Sequence, residues 1–259
     1  MASLDVRAGP AKFYDLSPHH PDDVPFYLGR LRSPDTRVLE LGCGTGRVSV
    51  PLAKQCGFLH GIDRSEAMLN ICRDKRKAAG LGENRASFAI ADISDFQLAE
   101  RFDLVIAPFR VIQNLETDRQ LAGLFGCIRD HLAPDGRCIL NVFNPNRTAE
   151  ALVREWVSDQ ENKAWEVETE DGRVVCYDVR RRLTPDPLVL YPELIYRRFV
   201  GEEMVEEEVL PIPMRCFYPQ EFVSLIEAQG FTICEKSGGY AGEEYGAGNE
   251  LVVEFSFEG

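Results

Sequence analysis

Arg37-Val38-Leu39-Glu40-Leu41-Gly42-Cys43-Gly44-Thr45-Gly46-Arg47 reads as a buried strand, a glycine turn and the start of a helix. Val38, Leu39 and Leu41 form the short apolar run of a parallel strand covered on both faces. The glycines allow φ > 0 and let a ligand approach the backbone closely. A helix from Gly46 to Lys54 would turn its free N–H groups and positive dipole end toward whatever the turn holds. Asp63 closes the next apolar run, Phe58 to Ile62. An acid about 20 residues past such a turn is where a nucleotide-binding unit grips a ribose diol.

Outward from this stretch, strands and helices alternate. Ser65 caps a helix that ends at Gly80, with Met68, Ile71 and Cys72 facing inward. Runs 87–91 and 103–107 are the third and fourth strands. Thr117 and Gln120 form a capping box ahead of Leu121, Leu124, Phe125, Ile128 and Leu132. Ala133-Pro134-Asp135-Gly136 turns into a fifth strand, 137–143. Before the core, Asp22 to Leu31 reads as a helix and residues 1–20 as irregular. Past residue 147 a short helix, 148–156, gives way to period-two segments at 164–169, 173–183, 188–200 and 204–210, with turn signals at Glu170-Asp171-Gly172 and Asp186-Pro187. Tyr218-Pro219 opens a last helix, and strands 231–236 and 250–257 follow. The fold expected is α/β: a doubly wound, mostly parallel seven-stranded sheet with an antiparallel β insert before the last helix.

The chain's 259 residues accommodate one domain with a sizeable insert. Its net charge of -13 repels phosphate backbones, so nucleic acid is not expected as a partner. No apolar run reaches the roughly 18–20 residues of a membrane span, and Met1 to Pro10 lacks a signal core, so a cytoplasmic location is expected. Eight cysteines occur without a C-x-x-C pair, which suits reduced core thiols better than disulfides or a metal site. Cys43, inside the turn, reads as a small side chain that fits there.

The spacing Gly42-x-Gly44-x-Gly46 differs from the G-x-G-x-x-G of dinucleotide sites. Glu40 at the strand end would repel a pyrophosphate and attract an ammonium group. The stretch closely resembles the first motif of class I S-adenosylmethionine (SAM)-dependent methyltransferases, E/D-x-G-x-G-x-G. The resemblance implies SAM as cofactor and S-adenosylhomocysteine (SAH) as product. It places Glu40, Gly42, Cys43, Gly44 and Gly46 around the methionine end. Asp63 then takes the ribose hydroxyls, with Arg64 beside it. Asp92 accepts from the adenine amino group, Ile93 offers its N–H, and Met68 and Ile93 sandwich the base. Ala107 lies at the fourth motif. An N-terminal segment, 1–33, folds over the cofactor, with Tyr14 as a lid residue; Phe13 and Tyr14 as anchors of that arm are the alternative. The core is then 34–146, the insert 147–217 and the closing helix and hairpin 218–259.

Ala107-Pro108-Phe109-Arg110 departs from the Asp/Asn-Pro-Pro-aromatic motif of enzymes acting on DNA bases, which argues for a small-molecule substrate. The insert resembles that of small-molecule N-methyltransferases acting on amino sugars or on glycine and sarcosine. A histidine common in relatives near position 114 is replaced by Asn114, so no general base is evident. His19, His20 and Gln113 are candidates for that role, whereas His60 and His131 lie on structural elements. Arg110, Gln113, Tyr191, Arg197 and Tyr218 are candidate substrate contacts. The insert is rich in arginines and aromatics (Tyr177, Arg180, Tyr191, Tyr196, Arg197). It is expected to roof the carboxyl edge of the sheet; a homodimer surface is its alternative use. The expected activity is methyl transfer to a small polar metabolite at nitrogen. An NAD(P)-dependent oxidoreductase and a non-catalytic SAM-binding protein are the competing readings.

Overall fold

The computed structural model describes residues 5–257; residues 1–4 of the expected lid segment, and 258–259, lie outside the described residues. The elements run α1 (Ala11–Tyr14), α2 (Val24–Leu28), β1 (Arg37–Leu41), α3 (Ser49–Ala53), β2 (Phe58–Asp63), α4 (Glu66–Ala78), β3 (Ala86–Ile90) and β4 (Phe102–Ala107). A 3-10 turn, Val111–Asn114, leads to α5 (Asp118–His131), β5 (Leu132–Phe143) and α6 (Ala149–Glu155). The insert is β6 (Ser158–Thr169), β7 (Gly172–Pro185), β8 (Leu188–Val200), β9 (Glu203–Pro211) and β10 (Met214–Arg215). Then come α7 (Pro219–Ala228), β11 (Thr232–Ser237) and β12 (Glu250–Ser256).

Seven strands form one sheet in the order β11-β12-β5-β4-β1-β2-β3. Pairing is parallel from β3 through β5, and β12 runs antiparallel to β5 and β11. Period-two alternation in β1 sends Leu39 and Leu41 to one face and Val38 and Glu40 to the other. The first face packs on Leu124, Phe125 and Ile128 of α5 and Phe222 and Ile226 of α7. The second packs on Tyr27 of α2 and Leu52 and Ala53 of α3. Strand order reverses between β1 and β4, so their carboxyl ends open the crevice where α/β sheets bind ligands.

The insert is a second sheet, β10-β8-β7-β6 with β9 on β8, as its alternating pattern and hairpin turns implied. Its inner core is Trp165, Val174, Cys176, Tyr196 and Leu210, and Phe13 of α1 completes it.

Several bounds differ from expectation. The helix after the glycine turn begins at Ser49, not Gly46, because Gly46 holds φ +81°, which no helical residue adopts. Pro51 then sits within its first turn, where a missing N–H is tolerated. The N-terminal helix is confined to Val24–Leu28, and a further turn of helix, Ala11–Tyr14, occupies a segment expected to be irregular. β5 starts at Leu132; the expected turn survives as a kink in it, with Asp135 at φ 61°. Among the described residues no helix is long and apolar enough to cross a membrane.

Candidate active site

A cavity of about 280 Å³ lies at the carboxyl ends of β1 and β4, between the parallel sheet, the N-terminal arm and the insert. Its floor is the glycine turn. Gly42, Gly44 and Gly46 take φ of +69°, +54° and +81°. A Cβ on Gly42 would lie 2.6 Å from Val111, and one on Gly46 2.6 Å from Cys72 Sγ. A Cβ on Gly44 would meet nothing within 4 Å, because that backbone faces the open cavity. Gly42 and Gly44 line the cavity, and Gly46 instead lets the turn pack on α4. Cys43 also lines it, but burial pushes its thiol well above its ordinary value, which leaves a packing group rather than a nucleophile.

Three acids face this floor. Asp63 is oriented at both oxygens: Gly44 N–H donates to Oδ2 and Ser65 N–H to Oδ1, each at 2.9 Å. Each oxygen keeps a lone pair for a ligand. Asp92 Oδ1 accepts from Ser94 N–H at 2.9 Å and Ser94 Oγ at 2.7 Å, while Oδ2 lies 3.7 Å from Arg64. Glu40 is buried and accepts a hydrogen bond from Ser49 Oγ. Burial raises its carboxyl to about 8, with the Ser49 hydrogen bond and the nearby Arg47 charge pulling the other way. Arg47 is bidentate on Asp23, whose side chain is wholly buried. That pair keeps the guanidinium charged despite its burial.

The wall after β4 is strained. Phe109 and Arg110 have φ of 55° and 66°, a left-handed pair without glycine. Arg110 N–H donates to Asn141 Oδ1 at 3.1 Å, its Nε to Glu250 Oε1 at 2.9 Å, and Asn141 Nδ2 to Glu250 Oε2 at 2.8 Å. These bonds hold the turn and present Pro108 and Phe109 to the cavity.

The arm and the insert supply the roof. Asp5 accepts from Ser65 Oγ, and Asp15 from Thr45 Oγ1, each at 2.8 Å, tying the arm to the cofactor floor. Phe13 stacks on Tyr196 with centroids 5.4 Å apart, tying the arm to the insert. Leu194, Tyr196, Leu210, Ile212 and Met214 come down from the insert.

A family described as a methyltransferase domain matches residues 32–205, from before β1 into β9. The chain belongs to the SAM-dependent methyltransferases. It is 30% identical to dTDP-3-amino-3,4,6-trideoxy-alpha-D-glucopyranose N,N-dimethyltransferase of Streptomyces venezuelae, over 58% of this chain and 56% of that one. It is 29% identical to the ubiquinone biosynthesis O-methyltransferase of Pasteurella multocida, over 45% of this chain and 50% of the relative. The chain spans about half the length of the curated relatives it matches. In fold it is similar to the CcbJ methyltransferase of Streptomyces caelestis, with a TM-score of 0.78, 23% identity and 98% of each chain covered.

The turn of this methyltransferase fits SAM: an open backbone at Gly44, an oriented carboxylate at Asp63 and another at Asp92. Of the residues expected at the cofactor, Tyr14, Glu40, Gly42, Cys43, Gly44, Asp63, Arg64, Met68, Asp92 and Ile93 line the cavity. Ala107 does not; it is wholly buried at the end of β4, one residue before the lining begins. Phe13 is the anchor of the arm, and Tyr14 beside it lines the cavity.

The substrate and base candidates fare differently. Arg110 lines the cavity, with its head held by Glu250. Gln113 does not; it is wholly buried, donating from Nε2 to Arg215 O at 2.7 Å and accepting from Phe143 N–H at 2.8 Å. Tyr191 bonds Glu116 away from the lining, and Tyr218 donates to Arg147 O at 3.0 Å. Arg197 is on the opposite face of β8 from Tyr196, paired with Glu161 and Glu207. His19 is exposed. His20 abuts the cavity walls, its centroid 4.9 Å from Tyr14 and 5.9 Å from Phe109. His60 bonds Ser87 Oγ at 2.6 Å, and His131 accepts from Leu98 N–H at 2.8 Å, both as structural side chains.

Sequence reading missed Arg7, Thr45, Phe109 and the apolar insert residues of the lining, and gave Arg47 no role. The insert's alternation groups Leu194 and Tyr196 on one face of β8, with Arg197 on the other.

Proposed function

We propose that this chain transfers a methyl group from SAM to a small polar metabolite, at nitrogen. The observation that carries the nitrogen assignment is the lining itself: among the described residues no histidine lines the cavity, and its acids Glu40, Asp63 and Asp92 all lie on the cofactor side. When bound, SAM supplies a methyl group already activated on a sulfonium. The protein's task is then to place an uncharged amine within about 3–3.5 Å of it and to exclude water. Glu40 would hold the ammonium of the methionine end, Asp63 would accept from the ribose hydroxyls, and Met68 and Ile93 would pack on the base. The arm and the insert roof the cavity. The amino-sugar relative supports nitrogen, and the O-methyltransferase relative of similar identity shows why the cavity has to decide.

One observation favours a second reading, transfer to oxygen. His20 Nε2–H donates to Tyr14 O, 3.0 Å away, and its Nδ1 is buried without a partner. The carbonyl selects the Nε2–H tautomer, leaving a basic Nδ1. Burial also holds the imidazole below its ordinary value, so it is neutral at pH 7.

Turnover of methyl-labelled SAM against matched amines and alcohols separates the readings. Amine products that persist in His20→Gln are expected. Alcohol products that vanish in that variant would favour oxygen, and SAH binding without any transfer would favour a non-catalytic role.

A further inference from the structure

Four arginines line the cavity: Arg7, Arg47, Arg64 and Arg110. Three of them face a carboxylate. Arg47 is bidentate on Asp23, Arg64 is 3.7 Å from Asp92, and Arg110 is held by Glu250. Arg7 is not so matched. Among the described residues its guanidinium has no carboxylate partner. Its side-chain hydrogen bond, from Nη2 to Asn114 Oδ1 at 3.2 Å, goes to a neutral amide. Carboxylates are in surplus in this chain, with 42 acidic against 29 basic side chains. A half-buried guanidinium without a carboxylate partner can take an anion from the cavity.

Arg7 bonds Asn114 on the wall after β4, and the nearby Asp5 bonds Ser65 on the cofactor floor. Asn114 ends the 3-10 turn onto which β10 folds, through the bond from Gln113 to Arg215 O. Tyr196 reaches the same space from β8. Its ring is buried, and its hydroxyl has no hydrogen-bond partner among the described residues. Tyr196 and Arg7 both line this cavity, and burial raises the Tyr196 hydroxyl above its ordinary value. Around them the wall is apolar: Leu194, Leu210, Ile212 and Met214. Arg47, on the cofactor side, is already bidentate on Asp23.

We infer that the methyl acceptor carries an anionic group, a carboxylate or a phosphate, on an apolar or ring-shaped body, and that Arg7 and Tyr196 hold that group. Arginine suits the role because its planar fork meets either anion with two parallel hydrogen bonds. This inference rests on the methyltransferase reading above and names the substrate class of the same cavity.

The test is calorimetric titration of the protein saturated with SAH. The probes are para-aminomethylbenzoate, para-aminomethylphenyl phosphate and neutral benzylamine. At least one anionic probe should bind about tenfold or more tighter than benzylamine, and which one does so separates carboxylate from phosphate. Arg7→Gln should erase that preference, Arg7→Lys should keep part of it, and Tyr196→Phe should weaken it. SAH affinity should be unchanged in all three variants. Equal binding of the three probes, or no binding of either anion to a protein that binds SAH, overturns the inference. Loss of SAH affinity in Arg7→Gln overturns it too, by assigning Arg7 to the cofactor. A wild-type protein that does not bind SAH strikes at the methyltransferase reading instead.

Discussion

The backbone N–H of Gly44 donates a hydrogen bond to Asp63 Oδ2 at 2.9 Å. The turn after one strand thus aims the acid at the end of the next. Ser65 N–H fixes the other oxygen, so the carboxylate is oriented before any ligand arrives. Asp63→Ala removes both the charge and the support of the turn. SAH affinity should fall roughly 10- to 100-fold, the loss of a charged hydrogen-bond acceptor. Asp63→Asn keeps an acceptor for Gly44 and should fall less. Calorimetric titration reads both, and wild-type affinity in Asp63→Ala would remove this residue from the cofactor site.

The last two glycines of the turn, Gly44 facing the cavity and Gly46 packed on α4, should respond differently to a methyl group. At Gly44 a Cβ has open space but projects into the cavity, and φ is +54°. Gly44→Ala should therefore lose SAH affinity, with a stability loss of only about 1 kcal/mol from backbone strain. At Gly46 the Cβ would lie 2.6 Å from Cys72 Sγ, with φ at +81°. Gly46→Ala should lose more stability, about 2 kcal/mol or more, as α4 is pushed away. Denaturant melts beside SAH titrations distinguish the pair. Equal melts for the two variants would show that the contact with Cys72 does not matter.

The parallel core was readable because β1 and β2 are short apolar runs closed by Gly42 and Asp63, and α4 and α5 begin with visible caps, Ser65 and Thr117. The substrate side was not, for a geometric reason. A period-two strand says which residues share a face but not which face looks inward. Arginine and tyrosine drew attention to Tyr191 and Arg197, whereas Leu194 and Tyr196 line the cavity. Gln113 misled similarly: its polarity near the ligand edge looked functional, but it serves backbone groups of β5 and β10.

Those two corrections make a matched prediction. Arg197 joins Glu161 and Glu207 through partly exposed pairs with side-chain exposures of 23%, 29% and 42%. Arg197→Ala should lose no more than about 1 kcal/mol of stability and leave methyl transfer intact. Gln113→Ala leaves the Phe143 N–H and the Arg215 carbonyl without their partner in the interior. It should lose about 1–3 kcal/mol, with SAH affinity preserved. Denaturant melts and transfer assays on both variants check this, and a transfer defect in Arg197→Ala at full stability would return that residue to the site.

Glu40 predicts a pH dependence whose sign is fixed by its burial. Its ordinary value is 4.5, and in the folded chain burial raises it to about 8. Between these values the folded state holds a proton that the unfolded state has released. Raising the pH through that window therefore removes stability, by a few kcal/mol at most, on the order of 1.4 kcal/mol for each pH unit. Glu40→Gln keeps an acceptor for Ser49 Oγ but cannot titrate. Its denaturation midpoint should change less than that of the wild type between about pH 5 and about pH 8, and the difference between the two curves isolates Glu40 from every other group. Parallel curves would show that the carboxyl is already ionised. A ligand ammonium beside Glu40 favours the ionised acid, so binding of SAH near neutral pH should release a proton. Titrations in phosphate and Tris, whose heats of ionisation differ, read that release directly, and it should disappear in Glu40→Gln.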